Sequence, residues 1–182
     1  MLALPATLSL NHENLVKEKL EPLQQYLGLT KAELKKIVVR LPTTLGYNHD
    51  SVVNEKLGPL QQYLSLTDAE LKKIVLSLPA TLGVNHDTLV IKLKLYKKLL
   101  AMTDEGLKQA VLARPAILGY GHIEAKWELM RSGFAWKPGQ QQEFGLYVLG
   151  AGKARLETRL WEWEVFLGGE KPQASPWLVR MA

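Results

Sequence analysis

A short motif returns along the first 120 residues at a nearly constant interval, and this repetition constrains the fold more than any other feature of the chain. The motif reads Leu-Pro-x-x-Leu, usually followed by Gly, and its last copy begins with Arg in place of Leu. Its prolines are spaced by 37, 37 and 36 residues and are Pro5, Pro42, Pro79 and Pro115. A period of this length is typical of helical repeats that stack on one another.

Each repeat contains a first helix with one apolar face. The apolar residues follow the helical spacing i, i+3, i+6, i+7, and they are Leu20, Leu23, Tyr26 and Leu27 in the first copy and Leu57, Leu60, Tyr63 and Leu64 in the second. Pro22 and Pro59 lie inside this helix, where a proline removes a backbone hydrogen bond. We therefore predict a kink in two of the repeats and a straighter helix in the third, which has Leu95 at that position.

A second helix follows in each repeat and begins at a threonine. Thr30 with Glu33, and Thr67 with Glu70, match the capping box, in which the hydroxyl and the carboxylate satisfy free backbone amides at the helix start. The third copy keeps the threonine but has Gly106 in place of the glutamate. The positions that we predict to be buried in these helices are Leu34, Ile37, Val38 and Leu41, then Leu71, Ile74, Val75 and Leu78, then Leu107, Ala110 and Val111.

The repeat decides the fold class. A single helical hairpin cannot bury its apolar face alone, so tandem copies must stack, each touching mainly its neighbours. The sequence therefore predicts an all-α fold, a right- or left-handed α-solenoid of helical hairpins with a degenerate C-terminal repeat. We predict three parts: residues 1–120 with three tandem repeats and the start of a fourth, residues 121–168 with a degenerate Trp-rich repeat, and residues 169–182 as an extended tail.

All five tryptophans lie after residue 120, where the composition changes. Trp127 and Trp163 occupy positions equivalent to core residues of earlier copies, so we expect them in the core. Trp161 and Trp177 are not explained by the repeat and are candidate anchors for a partner, because large aromatic side chains dominate interfaces. Residues 146–166 leave two alternatives: a helix, from the spacing of their apolar residues, or a strand hairpin, from the period-two alternation around Trp161.

Composition argues against several classes of site. The chain has no cysteine, which excludes disulfides and thiolate chemistry, and no apolar run long enough to span a membrane. Equivalent positions of stacked units lie about 10 Å apart, too far to share a metal ion. The histidines fall at such a position, so we predict no metal site; they are His12, His49, His86 and His122. No nucleophile recurs beside them and no Walker loop is present, so we predict no catalytic residue, no cofactor and no enzymatic activity.

Lysines recur on the second helices and are candidate phosphate-binding residues. They form a column along the predicted exposed side and are Lys35, Lys36, Lys72, Lys73 and Lys108. Such a column could follow the phosphates of a nucleic acid. The alternative is a solvated helix face, because an acidic residue precedes most of these lysines by three or four positions and pairing within the helix would neutralise the column. The expected pairs are Glu33–Lys36, Asp68–Lys72, Glu70–Lys73 and Asp104–Lys108.

A denser lysine cluster lies on the first helix of the third repeat and includes Lys92. Lys94, Lys97 and Lys98 share a face of that helix through their i, i+3, i+4 spacing. We predict these three as candidate contacts for a phosphate or an anionic lipid. A solvated helix face is again the alternative.

The repeat resembles that of the mitochondrial transcription termination factor (mTERF) family. The resemblance rests on Leu-Pro-x-x-Leu-Gly, then Lys-Leu-x-x-Leu-x-x-Tyr-Leu, then Leu-Thr-x-x-Glu-Leu-Lys-Lys-Ile-Val, and it covers about residues 4–120. It implies a superhelical array that acts on organellar DNA or RNA in transcription, splicing or ribosome assembly. The chain departs from the family by its few repeats and its few arginines, since Arg40 and Arg114 alone precede residue 120.

Two functions therefore stay open. In the first, the chain is a scaffold or linker subunit that binds other protein subunits of an organellar complex, for example a photosynthetic or respiratory membrane complex, with peripheral membrane association as an option. In the second, it binds organellar DNA or RNA, which the net charge of +5 permits without requiring it. The expected pairing of lysines within their helices and the scarcity of arginine favour the scaffold function over nucleic-acid binding. Localisation in a chloroplast or mitochondrion is implied by the resemblance alone.

Overall fold

The computed structural model describes residues 20–48, 50–134, 145–146, 149–150, 152–167 and 169–171. Their α-helices are α1 (Glu21–Tyr26), α2 (Lys31–Arg40), α3 (Gly58–Tyr63), α4 (Asp68–Ser77), α5 (His86–Leu99), α6 (Asp104–Ala113), α7 (Ile123–Gly133) and α8 (Lys153–Phe166). A π-helical segment covers Ser51–Leu57, and 3-10 helices cover Pro42–Gly46, Pro79–Leu82 and Pro115–Gly119. None of the described residues forms a strand, so the all-α prediction is confirmed, and α8 shows that the helix alternative is right for its part of residues 146–166.

The proline motif makes the turn between one second helix and the next first helix. Pro42 and Pro79 are the first residues of 3-10 helices, where the fixed φ of proline is favourable and its missing N–H removes no bond. The hydroxyl of Thr81, which is 1% exposed, donates to the carbonyl oxygen of Leu78 at 2.8 Å. Thr44 makes the equivalent bond at 2.7 Å. The buried hydroxyl therefore caps the helix that ends just before each of these two turns.

Both predicted capping boxes are present. The N–H of Glu33 donates to the Thr30 hydroxyl at 3.2 Å, and the N–H of Thr30 donates to the Glu33 carboxylate at 2.8 Å. Thr67 and Glu70 exchange the same two bonds at 3.3 and 2.8 Å. In the third repeat the N–H of Gly106 donates to the threonine hydroxyl at 3.0 Å, and glycine has no carboxylate to return the bond. The helix starts are thus those that the sequence predicts.

The second repeat accommodates its proline by widening the first helix. Ser51–Leu57 is π-helical, and the N–H of Gly58 donates to the carbonyl oxygen of Val53, five residues back instead of four. The α-helix α3 then begins with Gly58 and Pro59 in its first two positions. The predicted kink itself stays a prediction, while α5, which has Leu95 at this position, runs as one α-helix of 14 residues.

The chain divides into two compact units, the first made of Met1–Ile91 and Lys108–Pro115 and the second of Lys92–Leu107 and Ala116–Ala182. The core of the first unit comes from both helices of successive repeats and includes Leu23, Leu27, Ile37, Leu57, Leu60, Leu71, Ile74, Val75 and Val111. All nine of these positions were predicted from helical spacing. Leu34, Val38 and Leu41 are half-buried, so the first repeat buries less of its second helix than predicted.

The second unit has a core of its own, which includes Leu93, Leu100, Leu107, Leu118, Met130, Phe134, Leu149 and Leu156. The hydroxyl of the fully buried Tyr96 donates to the carbonyl oxygen of Ile117 at 2.9 Å, and burial raises the pKa of that hydroxyl well above its ordinary value. Trp127 is half-buried, and the side chain of Trp163 lies outside the described part. The predicted boundaries at residues 120 and 168 stay predictions.

Candidate functional site

The second-helix lysines of the later repeats reach back to the repeat before them. The Nζ of Lys72 on α4 lies 2.9 Å from the Glu33 carboxylate and donates to the carbonyl oxygen of Gly28 at 2.7 Å. Lys108 on α6 makes the same pair of contacts one repeat later, with Glu70 at 3.0 Å and with a carbonyl oxygen at 2.9 Å. Each ammonium therefore connects two consecutive repeats.

The geometry of these contacts follows from the turn between the two helices of a repeat. The acceptor carbonyls belong to Gly28 and Ser65, whose backbones have left-handed φ values of 57° and 49°. This conformation ends the first helix and directs the chain toward the threonine that begins the second helix. Since Lys72 contacts both, the carbonyl oxygen of the turn and the glutamate of the capping box form one acceptor site for an ammonium.

The predicted pairing within each helix is wrong. Asp68 accepts instead from the Gln61 side chain at 2.7 Å, and Asp104 pairs with Lys97 at 2.6 Å. The physical reason lies in the capping box, which turns the carboxylates of Glu33 and Glu70 back toward the N–H that begins each helix. There each carboxylate lies beside a turn carbonyl oxygen, so the ammonium of a lysine from the next repeat contacts both acceptors at once.

Two hydrogen bonds control the charge of the first-repeat glutamate. The backbone N–H of Thr30, followed by the ammonium of Lys72, lowers the pKa of Glu33 to about 2. The equivalent N–H of Thr67 and the ammonium of Lys108 lower the pKa of Glu70. Both carboxylates are therefore ionised at neutral pH and engaged by a lysine of the next repeat.

This arrangement leaves three of the predicted column lysines unneutralised. Lys35, Lys36 and Lys73 are exposed, and no ion pair forms at any of them within the part of the chain that the structure describes. Glu33 and Glu70, their expected helix partners, are bound to other lysines. The α2 helix carries four basic residues and one acidic residue, which makes it the more positive end of the column.

A second set of lysines, of which only Lys92 was noted from the sequence, fixes three of the first helices to the turn that follows their repeat. Lys56, Lys92 and Lys126 donate to backbone carbonyl oxygens at 3.1, 3.2 and 2.7 Å. The acceptors are Leu82, Leu118 and Leu149. Lys126 is 5% exposed, and burial lowers its pKa. Their spacing of 36 and 34 residues, close to the repeat length, was the sequence signal that could have found them.

The lysine cluster of the third repeat separates into different roles. Lys92 belongs to the structural set just described, and Lys97 pairs with Asp104 at 2.6 Å. Lys94 and Lys98 are exposed and have no ion pair among the described residues. A contact with phosphate or lipid therefore stays a prediction for Lys94, Lys97 and Lys98, with Lys97 already paired.

The described residues form neither a cluster of metal ligands nor a helix that could span a membrane. Within the described ranges, no three His, Cys, Asp or Glu side chains come together as metal ligands would. Nδ1 of His86 is buried and has no hydrogen-bond partner, while His12 and His49 lie outside the described residues. Among the helices of that part of the chain, none combines the length and the apolar character that crossing a bilayer requires.

Trp161, a predicted partner anchor, lies on the surface of α8 with 63% of its area exposed. It borders a cleft of about 320 Å³ that also has Leu129 and Leu160 in its lining. Trp177, the other predicted anchor, lies outside the described residues. The structure therefore offers exposed lysines in the first unit and an exposed tryptophan in the second as candidate contacts for a partner.

Stacked helical hairpins joined by lysine contacts define a helical-repeat protein. The family model for mTERF matches residues 1–131, and the chain belongs to the mTERF family. Membership suggests an organellar nucleic-acid-binding repeat protein, and proteins of this family are generally non-catalytic. The comparison with curated proteins found no match.

Proposed function

We propose that the chain binds the phosphate backbone of organellar DNA or RNA through Lys35, Lys36 and Lys73, named here the α2–α4 lysine patch. The observation that carries this proposal is the occupation of Glu33 and Glu70 by lysines of the next repeat, which leaves the charges of the patch free. Family membership supports a nucleic-acid ligand and an organelle. We assign the chain a non-catalytic role in transcription or RNA processing in a mitochondrion or chloroplast.

The geometry of the patch suits phosphates better than bases. Lys36 and Lys73 occupy equivalent positions on stacked second helices, which pack about 10 Å apart, so their ammonium groups can contact different phosphates of one strand. Lysine is a compact point charge without the planar fork that recognises a guanine edge. Binding is therefore expected to depend strongly on salt and weakly on sequence.

A salt titration tests the proposal. The affinity for a random-sequence single-stranded RNA and for a random duplex DNA is measured between 50 and about 300 mM salt, the range over which released counterions dominate. Replacing all three patch lysines with methionine should lower the slope of log affinity against log salt by about 2 for the single strand, since each lost phosphate contact removes about 0.7. Unchanged affinity and slope in this variant would rule the patch out.

A charge-matched control separates local contact from overall charge. The triple variant Arg131→Met, Lys153→Met and Arg159→Met also removes three positive charges, but each of these side chains is exposed and paired with a neighbouring glutamate. It should bind RNA with the salt slope of the unmodified chain. Equal losses in both triple variants would show that net charge, and not the patch, determines binding.

A second candidate function is the binding of protein subunits in a larger organellar assembly. The observation that favours it is the 63% exposure of Trp161, because tryptophan is among the residues that contribute most to protein interfaces. Stoichiometric purification with a complex after nuclease treatment would support this function. Loss of the chain from that complex on nuclease treatment would contradict it.

A further inference from the structure

The cleft beside Trp161 lies between the end of α7 and the middle of α8. Gly133 on α7 allows the two helices to approach, since a Cβ atom at that position would lie 2.6 Å from the side chain of Leu160. Residues Gly169–Lys171 border the same cleft on a third side. The cleft is thus built from described residues of the second unit and does not involve the α2–α4 lysine patch.

The lining of the cleft combines an aromatic surface with acidic side chains. Trp161 contributes its exposed ring, and Leu129 and Leu160 contribute apolar surface. Three glutamates line the cleft, Glu157, Glu164 and Glu170, against one lysine, Lys171. Glu157 has a cation beside it, Lys153 at 3.5 Å, while Glu164 and Glu170 have no ion pair among the residues that the structure describes.

The acidic and aromatic lining of the cleft favours a positively charged occupant. Carboxylates without a partner repel the phosphates of a nucleic acid or of an anionic lipid surface, so the cleft is unsuited to the ligand of the lysine patch. A lysine or arginine side chain has the opposite preference. Its charge can pair with Glu164 or Glu170, while its aliphatic stem or guanidinium plane packs on the ring of Trp161.

The apolar surface extends along α8 beyond the cleft. Val165 and Phe166 are 62% and 78% exposed, and Val165 lies one helical turn after Trp161, on the same side of the helix. An occupant that follows α8 would therefore meet acidic and apolar groups in turn. A segment of a protein with basic and large apolar residues fits this surface better than a small cation does.

We infer that the cleft formed by Trp161, Leu160, Glu164 and Glu170 is a docking site for a basic, apolar segment of a partner protein. This inference rests on the second candidate function and gives it a site and a partner chemistry. It does not depend on nucleic-acid binding, because the residues concerned and the sign of the charge are different. The arginine or lysine of the segment occupies the cleft, and its apolar residues cover Trp161 and Val165.

The test uses the full chain and two synthetic peptides of 14 residues. One peptide alternates leucine pairs with arginine pairs, and the other has glutamate in place of every arginine. Binding is measured by fluorescence anisotropy of the labelled peptide and by the NMR signal of the Trp161 indole N–H. The basic peptide should bind and shift that signal, and the acidic peptide should do neither. Equal binding of both peptides, or no binding of the basic one, would overturn the inference.

Two variants test whether Trp161 and the two glutamates contribute to binding of the basic peptide. Trp161→Ala should weaken binding of the basic peptide about tenfold, a loss between those of an exposed and a desolvated cation–π contact. The double variant Glu164→Gln and Glu170→Gln should lower the affinity for the basic peptide several-fold and make that affinity less dependent on salt. The control, Glu124→Gln with Asp87→Asn, removes two exposed acidic charges elsewhere and should leave binding unchanged. Unchanged affinity in the first two variants, or an equal loss in the control, would contradict the site.

Two further measurements distinguish other occupants. If a single-stranded oligonucleotide displaces the peptide and shifts the Trp161 signal, the cleft is a stacking surface for bases and the inference is wrong. If a chain that ends at Lys171 binds the peptide and the full chain does not, residues 172–182 are the occupant and a partner in trans is excluded. Association with a protein complex that survives Trp161→Ala would leave the second candidate function standing and remove this site from it.

Discussion

At the scale of single residues, Glu33 serves two structures at once. It closes the capping box of α2, and it accepts the ammonium of Lys72 from the next repeat at 2.9 Å. Both contacts favour the ionised carboxylate, and so they couple the start of a helix to the stacking of repeats. Protonation of this one group weakens both.

The pH dependence of stability follows from this coupling. The pKa of Glu33 is lowered from 4.5 to about 2 in the folded chain, first by the N–H of Thr30 and then by Lys72. Between these values the unfolded chain binds more protons, so the stabilisation is fully present above about pH 4.5 and is lost as the pH falls toward 2. Urea unfolding at pH 7, 4 and 2.5 should show that Glu33→Gln loses less stability on acidification than the unmodified chain. Identical acid profiles would contradict the coupling.

The buried threonine of the proline turn gives a second prediction at this scale. Thr81→Val keeps the shape of the side chain but removes the bond from its hydroxyl to the Leu78 carbonyl oxygen. The carbonyl oxygen keeps a backbone partner in the N–H of residue 81, at 3.1 Å. We expect the free energy of unfolding to fall by about 1 kcal/mol, the net value of one hydrogen bond. Urea unfolding measures it, with the exposed Thr88→Val as a control that should change little.

At the scale of helices, the starts were predictable because the signals are local. Thr30 and Glu33 are three residues apart, and the bonds between them need no information from elsewhere in the chain. That the first helix of the second repeat departs from α-helical geometry near Pro59 was predictable for the same reason. The partner of Lys72 was not, because Glu33 lies 39 residues earlier and the pair exists only when two repeats stack. Pairing rules for a single helix therefore gave the wrong partner.

The half-formed cap of α6 yields a prediction for a whole helix. Gly106 lacks the carboxylate that closes the box in the other two repeats, and glycine lowers helix stability by about 1 kcal/mol relative to good helix formers. Gly106→Glu should therefore raise the free energy of unfolding by about 1–1.5 kcal/mol. Denaturant unfolding of this variant with and without Thr103→Ala separates the two causes. If the gain is the same in both backgrounds, the capping box contributes nothing.

At the scale of the whole molecule, a lysine on the first helix donates to a backbone carbonyl oxygen of the following turn in three successive repeats. The contact from Lys126 to the Leu149 carbonyl oxygen matches those from Lys56 to Leu82 and from Lys92 to Leu118. Leu149-Gly150 therefore stands where earlier repeats have Leu82-Gly83 and Leu118-Gly119, although the proline is absent. From this register we predict that α8 is the first helix of a further copy. The degenerate repeat was hard to delimit from sequence because the feature it shares with earlier repeats is a hydrogen bond to a backbone carbonyl oxygen. Any residue provides such an acceptor, so the sequence does not mark it.

A repeat array held by contacts between neighbours should lose stability one interface at a time. Lys72 and Lys108 share no partner, so the effects of Lys72→Met and Lys108→Met should add. We expect each variant to lower the free energy of unfolding by about 1 kcal/mol and the double variant by about 2, because each lysine makes a partly exposed ion pair and one hydrogen bond to a carbonyl oxygen. Urea unfolding of the unmodified chain, the two single variants and the double variant measures these losses in the free energy of unfolding. A double loss that differs from the sum by more than about 0.5 kcal/mol would show that the two interfaces are energetically coupled.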